Sequence, residues 1–347
     1  MQNDSGILVV NWQLEKGGCE VIFEEIARVL NAKLLGFDEA LNALGVQMER
    51  RYYRYAILDR CLIFRDFIKQ YEKLYDPKLI ITNDDCSAFF SELRTPYIVV
   101  LQNPYAHLKN LPEFTTLYKY EFVDVYTLLQ KLACWNAKMV LPCSKFMQEY
   151  GEKFLSLRNM TLLEPGVDMK LFRPMDKDYL REKYGIPEEY EKVGLWVGSF
   201  HPISGYHFVP KFVHKYKDIY WILVFKHSIE GKVRAKNVRI LTCVKHEKMP
   251  EIYNLADFLL NLSFVESFGI KLVEAMACNV PVLTRKVGFL LEYPAEKGAM
   301  IISENDLDAI DRFYERKDEF ESRKAVEKRF NIERFRRSWK NLIKKIF

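Results

Sequence analysis

Short apolar runs recur along this chain, and each leads into a segment with helical periodicity. In the first half they fall at 6–11 (GILVVN), 32–35, 78–82 (KLIIT), 97–101 (YIVVL) and 139–141. In the second half they fall at 193–197, 220–225 (YWILVF), 238–241, 258–261 and 280–284. A run that is apolar at nearly every position reads as a strand covered on both faces, because a half-exposed strand would alternate with polar residues. Helical segments fit between the runs at 20–30, 57–75, 116–136, 144–153, 205–216, 248–255 and 269–278. Such strands alternating with helices indicate parallel sheets covered on both faces.

The alternation breaks once, at LLEPGVD (162–168) followed by LFRP (171–174), where Pro165-Gly166 signals a turn. The expected organisation is therefore two doubly wound, Rossmann-like parallel-sheet domains, 1–167 and 168–330, with a final helix at 331–347. At 347 residues the chain is long enough to give each domain its own core. Ligands in such sheets gather at the carboxyl ends of the strands.

Composition narrows the class. With 49% hydrophobic and 29% charged residues the chain reads as globular, and no apolar run approaches the ~20 residues that cross a bilayer. The start, MQNDSGILVVNW, lacks a basic n-region and a long apolar core, which leads us to expect a cytoplasmic protein. Seven scattered cysteines without a C-x-x-C pair point to reduced core thiols and not to a disulfide frame or a zinc site. The net charge of +5 is too small for a nucleic-acid partner.

The stretch 260–283, LNLSFVESFGIKLVEAMACNVPVL, carries the densest chemistry. It reads as a strand end, a polar loop, a helix and a second strand. A helix N-terminus presents unpaired N–H groups and partial positive charge, which favour phosphate. Ser267 is the expected N-cap, and Gly269 lets a ligand approach the backbone. Ile270, Val273, Met276 and Ala277 form the apolar stripe, with Glu274 on or beside it. A buried carboxylate needs partners, and ribose hydroxyls are good ones. The alternative is a carboxylate satisfied by a nearby Lys or Arg.

Ala256-Asp257, Ser263, Glu266, Phe268-Gly269, Glu274-Ala275-Met276-Ala277 and Pro281-Val282 together resemble the donor-site signature of retaining glycosyltransferases of family 4, which have the GT-B fold: two such domains facing an interdomain cleft. The resemblance implies that Glu266 faces the donor sugar as a catalytic residue and that Glu274 holds the ribose. It implies donor contacts from Ser267, Phe268, Gly269 and Ile270. Gly17-Gly18 before Glu20 resembles the family's glycine loop near the donor phosphates, and the 162–174 segment resembles its interdomain linker, with Asp168 in a turn and Ser144 capping a helix. The donor would be a nucleotide-diphosphate sugar, with no further cofactor and no metal.

The segment 198–205, GSFHPISG, departs from the pattern. Both glycines align, but Ser199 and Ser204 stand where the family has Arg and Lys for the diphosphate. Lys226, His201 and Lys16 are the candidates to supply that charge, and Ser199 stays a donor-side candidate. Gln102 and Asn103 follow the fourth strand where the family often has a histidine. His107 comes later and is the catalytic candidate on that side, with a surface-loop histidine as the equal alternative.

Two segments could face an acceptor, a glycan or a lipid-linked one: 102–122, aromatic and loop-like after a strand end, and 50–73. Residues 50–73 hold seven Lys/Arg among aromatics and read as a solvated face or as an anionic-lipid contact. The helix 331–347 has an apolar stripe of Ile332, Phe335, Trp339, Leu342, Ile343 and Ile346, with six Lys/Arg against one Glu. It reads as packing on the first domain, as a peripheral membrane helix, or as both. A degenerate relative that binds a sugar nucleotide without turnover is the alternative function. A nicotinamide oxidoreductase would need a G-x-G-x-x-G after a first strand, and neither domain has one.

Overall fold

Two parallel sheets account for every named strand of the computed structural model, which describes residues 5–12, 18–47, 57–84, 86–111, 120–227, 235–294 and 297–347. Lys16, Gly17, Arg50, Arg51 and Arg54 lie outside these residues. The chain divides into two units, Met1–Glu164 with Phe335–Phe347, and Pro165–Arg334.

In the first unit the strands are β1 (Ile7–Val10), β2 (Lys33–Leu35), β3 (Leu79–Asn83), β4 (Tyr97–Leu101) and β5 (Met139–Pro142). They lie in the order β2-β1-β3-β4-β5, all parallel. The helices are α1 (Gly18–Leu30), α2 (Phe37–Leu44), α3 (Ile57–Tyr75), α4 (Tyr120–Trp135) and α5 (Lys145–Leu155). Strands β1, β3 and β4 are buried at every residue, as their continuous apolar runs require. The Ser144 side chain caps α5 by accepting the Met147 N–H at 3.1 Å.

The second unit has β6 (Lys192–Gly198), β7 (Ile219–Phe225), β8 (Val238–Thr242), β9 (Phe258–Asn261), β10 (Val282–Thr284) and β11 (Ala299–Ile301). Its parallel order is β11-β10-β9-β6-β7-β8. Helices α6 (Lys177–Lys183), α7 (Val209–Lys215), α8 (Met249–Leu255), α9 (Ile270–Ala277), α10 (Ala309–Glu315) and α11 (Ser322–Val326) connect and flank these strands. The core on one side of the sheet is aromatic. Trp221 meets Phe258 edge-on at 5.8 Å, and Phe258 meets Phe313 at 5.3 Å.

Helix α12 (Ile332–Ile346) begins in the second unit and ends in the first. It buries Phe335, Trp339 and Leu342, and Arg336 pairs with Glu25 of α1 at 2.6 Å. Ile332, Ile343 and Ile346 are half-buried. Asp168 lies in a turn, accepting the N–H groups of Lys170 and Leu171.

Several elements differ from the sequence reading. The strand expected from 280 starts at Val282, because Asn279 turns left-handed (φ 60°) and the Val280 N–H returns to the Ala275 carbonyl. The helix expected over 205–216 is one 3₁₀ turn, Tyr206–Phe208, followed by α7. Strand β11 and helices α2, α6, α10 and α11 were not anticipated.

Candidate functional site

Both sheets have a point where strand order reverses. In the first unit β1 lies between β2 and β3, and in the second β6 lies between β7 and β9. Loops leaving neighbouring strands in opposite directions open a crevice at the carboxyl ends. In the second unit those are the loops after β6 and after β9.

These two loops touch through their backbones. Gly205 has φ +67°, and a Cβ built there would lie 2.1 Å from the Leu262 carbonyl oxygen, so the approach requires glycine. The Phe264 N–H donates to the Ile203 carbonyl at 2.8 Å. On the β6 side the Ser199 and Ser204 hydroxyls bond each other at 2.9 Å, and His201 Nδ1 accepts the Ile203 N–H at 3.2 Å. Lys226 follows β7, with its N–H on the Gly198 carbonyl at 3.1 Å and its side chain half-buried.

On the β9 side the chain turns through Gly269, at φ +90°, straight into α9. Gly269 is itself the N-cap and no side chain caps the helix, so the cap expected at Ser267 is corrected. A left-handed glycine reverses the chain in one residue and leaves Ser267 upstream of the first turn. The Phe268 ring points into the unit, 5.2 Å from Phe330 and 5.8 Å from Phe289. Ile270 opens the helix half-buried, while Val273, Met276 and Ala277 are buried, as are Leu272 and Ala275.

Glu274 is only 5% exposed. Its Oε1 lies 2.7 Å from His246 Nε2, and its Oε2 accepts the Tyr253 hydroxyl of α8 at 2.9 Å. Its protein partners are therefore a histidine and a tyrosine, where the sequence reading had allowed a local Lys or Arg. Burial and the negative charge of Glu274 raise the Tyr253 pKa well above the phenol range, so Tyr253 remains a donor. The same two causes push the Cys278 thiol up to about 12. The Phe172 ring packs 5.2 Å from His246 and fixes its position.

Glu266 is half-buried and pairs with Lys271 of α9, Nζ to Oε1 at 2.8 Å. Lys271, His246 and Tyr253 were all missed in the sequence. The available signal for Lys271 was a cation in the first turn of a helix, where the dipole disfavours positive charge.

In the first unit His107 sits in a 3₁₀ turn after β4, half-buried, its ring edge-on to Phe146 at 5.3 Å. Burial, with help from the nearby Lys153 charge, lowers its pKa and favours the neutral imidazole. Buried Asp84, also missed, organises this corner. It accepts the N–H groups of Gln102 and Asn103 at 3.3 and 3.1 Å and the Asn103 amide at 2.7 Å. Gly18 opens α1.

Among the described residues no group of His, Cys, Asp or Glu is placed to hold a metal, and no helix is long and apolar enough to cross a membrane. Cys61, Cys86, Cys134, Cys143 and Cys278 are buried thiols, and Cys243 is an exposed one.

Comparison with known proteins adds independent observations. Residues 223–333 match the family model described as glycosyl transferases group 1. A D-inositol 3-phosphate glycosyltransferase of Mycobacteroides abscessus is 26% identical over 203 residues, 52% of this chain and 46% of that protein. One of Mycobacterium marinum is 30% identical over 142 residues, 37% of this chain and 30% of that protein. The chain thus spans less than half the length of these curated relatives. Among solved structures, sucrose-phosphate synthase from Thermosynechococcus elongatus superimposes with TM-score 0.82 at 17% identity, covering 98% of this chain and 99% of the other. HepE of Anabaena, in complex with UDP and glucose, gives TM-score 0.76 at 16% identity, with coverage of 98% and 99%. Through residues 223–333 the chain resembles the glycosyl transferases group 1 family, and its two parallel-sheet units have the GT-B fold.

Proposed function

We propose that the chain is a glycosyltransferase that moves a sugar from a nucleotide-diphosphate sugar to a glycan, a lipid-linked or a protein-linked sugar, with retention of configuration and without a metal. The observation that carries this reading is the pair Glu266, in the loop after β9 at the strand-order reversal of the second unit, and Glu274, about one turn into the helix that follows. Glu274 is rigidly oriented by His246 and Tyr253, yet each carboxylate oxygen has a second lone pair for a ribose hydroxyl. Glu266 would face the sugar. The N–H groups at the start of α9, after the turn at Gly269, would meet the diphosphate, and Ser199, Lys226, Ser267, Phe268 and Ile270 would complete the donor side through side chain or backbone. HepE, a structural neighbour, has been seen in complex with UDP-glucose, which supports the donor class.

Catalysis would rest on positioning and on charge stabilisation of an oxocarbenium-like state, the leaving phosphate taking the acceptor proton. His107, kept neutral by burial, is our candidate for an acceptor contact on the first unit, and Gly17-Gly18 for a phosphate contact. Peripheral membrane contact is part of the proposal, supported by the exposed Arg337, Lys340, Lys344 and Lys345 of α12.

A thermal-shift screen of nucleotide sugars tests the donor site. A true donor at a hundred times its Kd stabilises the fold by about 2.7 kcal/mol. Glu274→Gln is expected to abolish most of that shift, and an unchanged shift would refute the ribose role. Turnover with an acceptor, and the anomeric form of the product by NMR, tests transfer with retention. Binding without turnover would favour a noncatalytic sugar-nucleotide binder.

A further inference from the structure

Three polar side chains are almost fully buried at the tips of β9 and β10: Asn261, Ser263 and Thr284, each at most 1% exposed. Buried polar groups are costly unless their hydrogen bonds are made. Here they are, and in only one direction. The Thr284 hydroxyl donates to the Arg285 carbonyl at 2.9 Å, so its oxygen accepts the Asn261 amide at 2.9 Å. The Asn261 carbonyl oxygen then accepts the Ser263 hydroxyl at 2.9 Å. A hydroxyl has a single proton, so Ser263 Oγ can act toward its next neighbour only as an acceptor. That neighbour is the Lys271 ammonium, at 3.2 Å.

Lys271 Nζ has two further partners, the Val197 carbonyl at the end of β6 at 3.3 Å and Glu266 Oε1 at 2.8 Å. An ammonium has three N–H donors and these three acceptors use them all. The acceptors come from three places: the tip of β6, the start of the loop after β9, and the middle of that loop. Lys271 is therefore fixed by the sheet and in turn fixes the carboxylate. A free glutamate in a half-buried loop would sample several rotamers, whereas this one is tied to the strand framework.

We propose that Lys271, with Asn261, Ser263 and Thr284 behind it, is the positioning residue that sets Glu266 to receive the donor sugar. This rests on the reading of the site as a nucleotide-sugar site. Lys271 does not itself take the diphosphate, since all three of its donors are engaged. Glu266, with Oε1 committed to the ammonium, recognises sugar hydroxyls through its remaining lone pairs.

The test separates sugar recognition from phosphate recognition. Calorimetry is run with UDP, GDP and ADP and with their glucose conjugates, on the full chain and on Lys271→Met, Lys271→Arg and Ser263→Ala. For the nucleotide the native chain prefers, Lys271→Met is expected to weaken binding of the glucose conjugate by about tenfold. Binding of the nucleoside diphosphate alone should change by less than about twofold. Lys271→Arg should recover part of the loss. Ser263→Ala keeps the ammonium but removes one anchor, so it should show a smaller loss of the same selectivity, and it carries the test if Lys271→Met does not fold. Equal losses for conjugate and diphosphate would overturn the proposal and make Lys271 a phosphate ligand or a general structural support. No loss in either variant would overturn it as well. A native chain that binds none of the six compounds would refute the nucleotide-sugar reading and this inference with it.

Discussion

Single residues decide how closely the loops of the second unit can approach. Gly205 combines a left-handed backbone with a neighbouring carbonyl 2.1 Å from where a Cβ would stand. Gly205→Ala is expected to cost about 3 kcal/mol, from the left-handed penalty together with a forced backbone shift. Chemical denaturation measures this directly, and a loss under about 1 kcal/mol would show that the loops separate easily. The residue scale is also where sequence reading reached its limit. Glu266, Gly269 and Glu274 drew attention because they lie within one short stretch whose residues together resemble a family signature. Their partners did not. His246 precedes Glu274 by 28 residues and Tyr253 by 21. Lys271 gains its role only when β6 and the loop after β9 come together; its place in a first helical turn marks it as unusual but does not name its partners. Ser267 was misplaced because a cap was assigned by residue type, while the backbone turned at the glycine two positions later.

Elements with uniform burial were the easiest to recognise. Strands β1, β3, β4 and β7 are apolar runs buried along their whole length, so composition alone marks them. Strand β11 escaped notice because it is a three-residue edge strand with Ile301 exposed, and a one-sided contact leaves little pattern. Short helices such as α6 hide for a related reason: seven residues make two turns and bury only Leu180. What holds α6 is electrostatic and lies elsewhere in the sequence. Lys183 and Tyr184 at its end both bond Glu251 of α8, at 2.7 and 2.8 Å, and Lys248 adds a third bond at 2.9 Å. Hydrogen bonds from Lys183, Lys248 and Tyr184 pull the Glu251 pKa down to about 2 from an ordinary 4.5. A carboxyl with a depressed native pKa adds stability above its unfolded pKa and loses it as pH falls toward the native value. Glu251→Gln should therefore lower the Tm at pH 7 and make almost no difference near pH 2, as melts across that range would show. Equal Tm changes at both pH values would rule out an ionic clamp.

For the whole molecule, the reading of two parallel α/β units was available because Pro165-Gly166 interrupts an otherwise regular alternation. The chain crosses between the units there and again within α12. Trp339 is 1% exposed on α12, and its truncation to Ala should cost about 3–5 kcal/mol. The loss belongs to the first unit, so hydrogen exchange should rise in β1 and α1 and stay unchanged in β9 and α9. Faster exchange spread evenly over both units would show instead that they unfold together. The second unit is one continuous segment, whereas the first needs both Met1–Glu164 and Phe335–Phe347. During synthesis the order of completion is therefore the reverse of the order of appearance. The second unit has all of its residues once Arg334 has emerged, while the first, made earlier, must wait with the seat of Phe335, Trp339 and Leu342 uncovered until Phe335–Phe347 has emerged as well.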